Sequence, residues 1–156
     1  MCGDICIIID AVSISKNPEQ TKKSIIEFLN EEEDELLTHS NQEIITQIND
    51  YLVQKNDDML ASLCILRKLG TEIHYSSVGN TQILKATSNQ TVPLIAFANQ
   101  PESVLGMKNI EINSGYFSIE NDATYIAATD GLDFREFKLS DLDNLKNNND
   151  WYSFAN

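Results

Sequence analysis

The residue best placed to do chemistry in this sequence is Asp130. It closes the apolar run at the centre of ATYIAATDGL (residues 123–132) and is followed at once by Gly131. A carboxylate held at a rigid strand end can bind a hard divalent cation such as Mg2+ or Mn2+, which asks for a few fixed oxygen ligands. The same Asp-Gly pair is a common turn dipeptide, because both residues tolerate the backbone angles of a tight turn. These residues alone leave both readings open. No Ser-His-Asp or Cys-His constellation competes for the chemistry. His39 and His74 carry no partner signature; His39 is expected to be exposed and His74 to face away from Tyr75 on a strand. Cys2, Cys6 and Cys64 have no zinc spacing. Cys6 and Cys64 fall inside apolar runs, where reduced core thiols are expected. The acidic run from Glu31 to Glu35 has the pattern of a solvated loop or helix face, and Asp57-Asp58 reads as part of a loop.

The bulk properties narrow the function classes. A length of 156 residues favours a single domain, residues 1–156, with room for one core. Acidic residues number 24 and basic residues 11, a net charge of −13. That charge repels phosphate backbones and anionic lipid, so it argues against nucleic acid and membrane as partners. It suits divalent cations wherever carboxylates converge. No apolar run approaches the ~18 residues of a membrane span. The opening MCGDICIIID has no basic leader, and Asp4 and Asp10 flank its short apolar run. A cytoplasmic protein is the expectation.

The elements that must position Asp130 follow from periodicity. Residues 5–9, ICIII, predict a buried strand. Asn17-Pro18-Glu19-Gln20 predicts a helix start, with Asn as cap and Pro in the first turn, and Ile25, Ile26 and Leu29 as its apolar stripe. Ser40-Asn41-Gln42-Glu43 is a capping box opening a second helix, along which Ile44, Ile45, Ile48, Tyr51 and Leu52 recur at helical spacing. Strands are then predicted over 59–66 and 72–78, joined by a turn at Lys68–Thr71. Further strands are predicted over 82–86, 92–98, 110–113 and 123–128. One strand, two helices and a long run of antiparallel-looking strands make an α+β fold.

Four short motifs in order from about residue 41 to 133 carry a resemblance. They are Asn49-Asp50-Tyr51-Leu52 followed by the strand with Ser62, then Ser77-Val78-Gly79-Asn80, then Val104-Leu105-Gly106, then Thr129-Asp130-Gly131-Leu132. Together they resemble the bacterial SpoIIE, RsbU and RsbX branch of the PPM (protein phosphatase 2C-like) phosphatases. The resemblance implies an α-β-β-α sandwich, two antiparallel sheets face to face with helices outside. It implies metal-dependent hydrolysis of phosphoserine or phosphothreonine, with two Mn2+ or Mg2+ ions activating a water so that no side-chain nucleophile is needed. The implied substrate is a phosphorylated regulatory protein of the anti-sigma-factor-antagonist type.

The resemblance also implies metal ligands. Asp130 matches the Thr-Asp-Gly position. Asp10 matches the early aspartate when the strand Ile5–Ile9 is aligned to end on it; aligned through Val12-Ser13 instead, Ala11 takes that place. The Gly-His-Gly that follows in the family is absent in either case. Near the C-terminus only Asn149-Asp150 matches the expected acidic pair, with Asn149 at its leading position. Gly3-Asp4 matches a Gly-Asp that family members often carry ahead of the first strand. The chain is short for the family at both ends. With these departures, the alternative reading is a pseudophosphatase module that recognises a signalling partner without turnover.

Overall fold

The computed structural model describes residues 4–12, 15–32, 34, 37–55, 58–87, 90–95 and 103–129. β1 (Ile5–Ala11) is followed by two helices, α1 (Pro18–Glu31) and α2 (Asn41–Lys55). The strands β2 (Ala61–Leu69), β3 (Glu72–Val78), β4 (Thr81–Ala86), β5 (Thr91–Ile95), β6 (Asn113–Ser118) and β7 (Thr124–Thr129) complete the order. They form two antiparallel sheets, β1-β2-β3-β6 and β5-β4-β7. This is the expected α+β class with its two facing sheets.

Both helix starts form as their sequences dictate. The Asn17 side chain accepts the Gln20 N–H at 3.2 Å, with Pro18 in the first turn of α1. At α2 the capping box closes reciprocally: Ser40 N–H donates to the Glu43 carboxylate at 2.7 Å, and Glu43 N–H donates to Ser40 Oγ at 3.3 Å. Hydrogen bonds from Ser40 hold the Glu43 carboxyl below its ordinary pKa. Each such bond satisfies a helix-end N–H that the helix itself leaves open.

Strand alternation builds two separate cores. Ile5, Ile7 and Ile9 of β1 and Leu63 and Ile65 of β2 face the helices, where Ile25, Ile44, Ile45, Ile48 and Leu52 meet them. Ile8, Cys64, Leu66, Tyr75 and Phe117 face the other way, onto Ile83, Ile95 and Ala127 of the second sheet. Among the described residues both helices therefore cover the outer face of the first sheet.

Several details depart from the sequence reading. Ile26 is half exposed, and α1 buries Thr21, Ser24 and Ile25 with Phe28 and Leu29 beside them. That set keeps the i, i+3, i+4, i+7 spacing and shifts the stripe by one position. Lys68 and Leu69 belong to β2, because Leu69 pairs with Glu72 and leaves only Gly70-Thr71 as the hairpin turn. The strand expected over 110–113 lies at 113–118. Ser103 Oγ takes up the backbone at Glu111, accepting its N–H at 2.8 Å and donating to its carbonyl at 3.4 Å. Residues 96–98 of the strand expected over 92–98 lie outside the described residues. His39 is half-buried rather than exposed. His74 does face away from Tyr75, but it has a partner, Glu72, whose carboxylate lies 3.1 Å from Nε2.

Cys6 is exposed on β1, which among the described residues is an edge strand; this corrects its expected place in the core, whereas Cys64 is buried. Burial, reinforced by the neighbouring Cys6 thiol, pushes Cys64 up to about 12. The thiolate is the reactive form. Iodoacetamide at pH 8 will therefore alkylate Cys6 in the native protein and leave Cys64 unmodified until denaturant is added, as read by peptide mass spectrometry. Equal labelling of both in the native state would contradict this packing.

Candidate functional site at one end of the sheets

The strand registers gather four chain segments at one end of the sandwich. Asp10, near the end of β1, pairs with Ser62 at the start of β2. Leu63 pairs with Val78, so the chain leaving β3 emerges beside Ser62. The crossover to the second sheet is pinned there, because Ser62 Oγ accepts the Asn80 N–H at 2.9 Å. Gly79 has φ +80°, and a Cβ on it would lie 2.4 Å from Ser62 Oγ and 2.9 Å from Ser62 Cα. Only glycine serves both that angle and that approach. β4 then starts at Thr81, which pairs with Thr129 at the end of β7. β1 packs against β7 across the two sheets. Alternation puts Asp10 on the face of Ile8, toward the second sheet, and Thr129 on the face of Ala127, toward the first. Asp130 follows Thr129 in the chain and lies outside the described residues.

A second lock joins two more of the motifs. Asn49 of α2 is buried; its Oδ1 accepts the Gly106 N–H at 2.8 Å and its Nδ2 donates to the Met107 carbonyl at 3.1 Å. The preceding Leu105 bridges to Ala61 through two backbone hydrogen bonds, at 2.9 and 3.3 Å. The Val104-Leu105-Gly106 turn is thus tied at once to α2 and to the residue beside Ser62.

The candidate ligands are not all brought together. Asp4 lies beyond the other end of β1, where its carbonyl accepts the Lys68 N–H at 3.0 Å. Six extended residues separate it from Asp10, about 20 Å, so these two carboxylates cannot share an ion. Asp150, like Asp130, lies outside the described residues. Among the described residues no three His, Cys, Asp or Glu side chains converge as a metal cluster would. Among the described residues Asp10, paired with Ser62, is the one candidate carboxylate at this end, and it fits a share in a divalent cation. The backbone after Asp10 is also committed. Ala11 pairs with Ala61, where β1 ends, and the Val12 N–H donates to the Leu60 carbonyl at 3.1 Å.

The sequence reading missed two polar features. Ser15 is buried, with its Oγ 2.9 Å from Thr21 Oγ1 and accepting the Leu60 N–H at 3.4 Å. It ties the segment after β1 to the segment before β2, and no periodic signal marks a lone serine. The other is a cavity at the start of α2, on the outer face of the first sheet and at the far end of β2 from Ser62, with Asn41, Arg67, His74 and Ser114 among its lining residues.

Neither a protein-family model nor a curated protein sequence matches the chain. Solved structures do. A bacterial serine phosphatase superposes with a TM-score of 0.71 at 12% identity, covering 91% of this chain and 72% of the other. PppA, a key regulatory component of T6SS in Pseudomonas aeruginosa, gives a TM-score of 0.67 at 12% identity, with 90% and 71% covered. RsbX in complex with magnesium gives 0.59 at 18% identity over 83% of this chain, which spans 61% of the RsbX chain. No helix of the described residues is long and apolar enough to cross a membrane. This chain has the two-sheet fold of the PPM and SpoIIE-type serine/threonine phosphatases.

Proposed function

We propose that this chain is a PPM/SpoIIE-like phosphatase domain with a reduced metal site, acting on a phosphoserine or phosphothreonine of a regulatory protein. The observation that carries the reading is the register Asp10–Ser62, Ser62–Asn80, Thr81–Thr129, which delivers the ends of β1 and β7 to one end of the sandwich. Asp10 and Asp130 are the residues that would hold a Mn2+ or Mg2+ ion there. Such an ion supplies charge neutralisation for the phosphoryl oxygens and an activated water. The chain's own part is to fix Asp10 on a paired strand and to hold the crossover turn against Ser62. The partner is a phosphoprotein of the anti-sigma-factor-antagonist type, in keeping with a relative that is itself a regulatory component.

One observation favours a second reading, a pseudophosphatase that binds its partner without turnover. β1 runs one residue past Asp10 to Ala11, and the Val12 N–H that follows is taken by the Leu60 carbonyl instead of being open to a phosphate. Calorimetric titration with Mn2+, together with hydrolysis of a phosphoserine peptide, separates the two readings. The enzyme reading expects Mn2+ binding at micromolar concentration and turnover, with both lost in Asp130→Asn. A folded protein with neither property overturns the enzyme reading and leaves the binding module.

A further inference from the structure

We propose that the outer edge of β6 is an interaction surface for a second copy of this chain, joined strand to strand across a two-fold axis. The register fixes which backbone groups of β6 are engaged. The Ile119 N–H donates to the Thr71 carbonyl at 2.8 Å, just beyond the pair Glu72–Ser118. Hydrogen-bonded and non-hydrogen-bonded pairs alternate along an antiparallel ladder. Asn113, Gly115 and Phe117 therefore turn their N–H and C=O toward β3, and Ser114, Tyr116 and Ser118 turn theirs away from it. The Ser118 carbonyl accepts the Tyr125 hydroxyl at 3.1 Å. Among the described residues the backbone N–H and C=O of Ser114 and Tyr116 have no partner.

An unpaired strand edge is a template for another strand, and proteins usually blunt it with charge, proline or a bulge. β6, NSGYFS, has no charged residue and no proline, and its ladder with β3 runs without a shift of register. β5, an edge of the second sheet among the described residues, is blunted. It carries Pro93, and its ladder with β4 shifts between Ile83 and Leu84. The edge of β6 also holds two tyrosines, one on each face. Tyr116 is 66% exposed on the helix-facing side, with its ring stacked on His74. Tyr75 crosses Gly115 on the opposite side, where a Cβ on Gly115 would lie 2.7 Å from the Tyr75 hydroxyl. Aromatic side chains of this kind are enriched at protein interfaces.

A second copy is the occupant whose open groups complement these. An antiparallel strand of the same sequence, placed with its Ser114 opposite Tyr116, sets N–H against C=O at both residues. Each Ser114–Tyr116 pair then exchanges both of its backbone hydrogen bonds, and the engaged Ser118 carbonyl is not needed. Gly115 meets Gly115 at the axis, in the kind of pair where two strands come closest, and has no side chain in the way. Each copy carries a net charge of −13, and like charges directly opposite one another destabilise a strand pair. An uncharged strand lets the two copies meet without that cost.

Sedimentation velocity on the full chain, over roughly the micromolar-to-millimolar range, tests this. A concentration-dependent dimer is expected, weak because the contact is short. It is expected to tighten as salt rises, since salt screens the repulsion between two acidic copies. The amides of Ser114 and Tyr116 are expected to exchange more slowly with solvent as the dimer forms, as read by NMR. Ser114→Pro removes an outward N–H and leaves the N–H groups that face β3 in place. Tyr116→Lys sets a charge on the edge. Each change occurs twice in the dimer, and each is expected to weaken it at least about 10-fold, with circular dichroism confirming that the variants are folded. A monomer throughout the range, a dimer weakened by salt, or a dimer that survives both substitutions and so sits elsewhere, as on the outer side of β1, overturns the proposal.

Discussion

Gly106→Ala will cost this protein about 3–5 kcal/mol of stability, the range of the most severe single substitutions. Gly106 has φ +89°, a region where an L side chain is strained by about 1–2 kcal/mol. Steric contact adds the greater part. A Cβ at position 106 would lie 1.9 Å from the Met59 carbonyl oxygen and 3.0 Å from its carbonyl carbon. These are backbone atoms and cannot swing aside as a side chain would. To relieve the clash the turn must move, and with it the Gly106 N–H donated to Asn49 and the Leu105 bridge to Ala61. Losing the first leaves the buried Asn49 amide oxygen unsatisfied, which costs roughly 1–3 kcal/mol more. Urea denaturation measures the loss. Gly70→Ala is the control, since Gly70 also has positive φ, +61°, but nothing lies within 4 Å of its added Cβ. It should cost only the ~1–2 kcal/mol of conformational strain. Equal losses in the two variants would mean that the packing around Gly106 contributes nothing.

That contrast shows what is legible in the sequence and what is not. The capping box at Ser40–Glu43, the Asn17 cap and the isoleucine spacing of α2 are local signals, and the structure forms all three. The paired glycine motifs are legible as an ordered resemblance, but their mutual contacts are not. Asn49 meets Gly106 across 57 residues, and Ser62 meets Asn80 across 18. No periodicity encodes which polar side chain will close which turn. β6 escapes a reading by pattern because Asn113-Ser114-Gly115 has no apolar alternation, and its place is set by pairing with β3. Cys6 departs from expectation for a related reason. A β-branched run reads as buried along its whole length, yet among the described residues β1 is an edge strand of its sheet, and the thiol near its start is open to solvent. Arg67, His74 and Tyr116 come side by side only because three strands pair in register, which spacing does not encode. For the candidate site, Asp10 and Asp130 rest on resemblance, and the register explains why their strands reach one end together. Asp4 rests on the same ground, but proximity in sequence misleads there, because six residues along a strand is a long way.

The separation of Asp4 from Asp10 gives the second large expected effect. If a divalent ion is held at the end of the sandwich where β1 and β7 meet, Asp10→Asn removes one of its charged oxygen ligands. Loss of a residue that only supports a metal ligand typically weakens binding about 10–100-fold, so loss of the ligand itself should reach the upper part of that range or exceed it. Asparagine keeps the size and the pairing of position 10 with Ser62, so the fold is retained and the effect is one of charge. Asp4→Asn changes the net charge by the same amount, from −13 to −12. It does so about 20 Å away along the strand, beyond the ~8–10 Å over which physiological salt leaves exposed charges coupled. Mn2+ titration of the two variants at about 0.15 M salt should therefore show a large loss for Asp10→Asn and a change of less than about twofold for Asp4→Asn. Long-range charge alone would weaken both variants alike, and a weaker ion in Asp4→Asn would place the binding at the other end of β1. Retained affinity in Asp10→Asn would leave the end of β1 without a metal role and move the weight of the function to partner recognition.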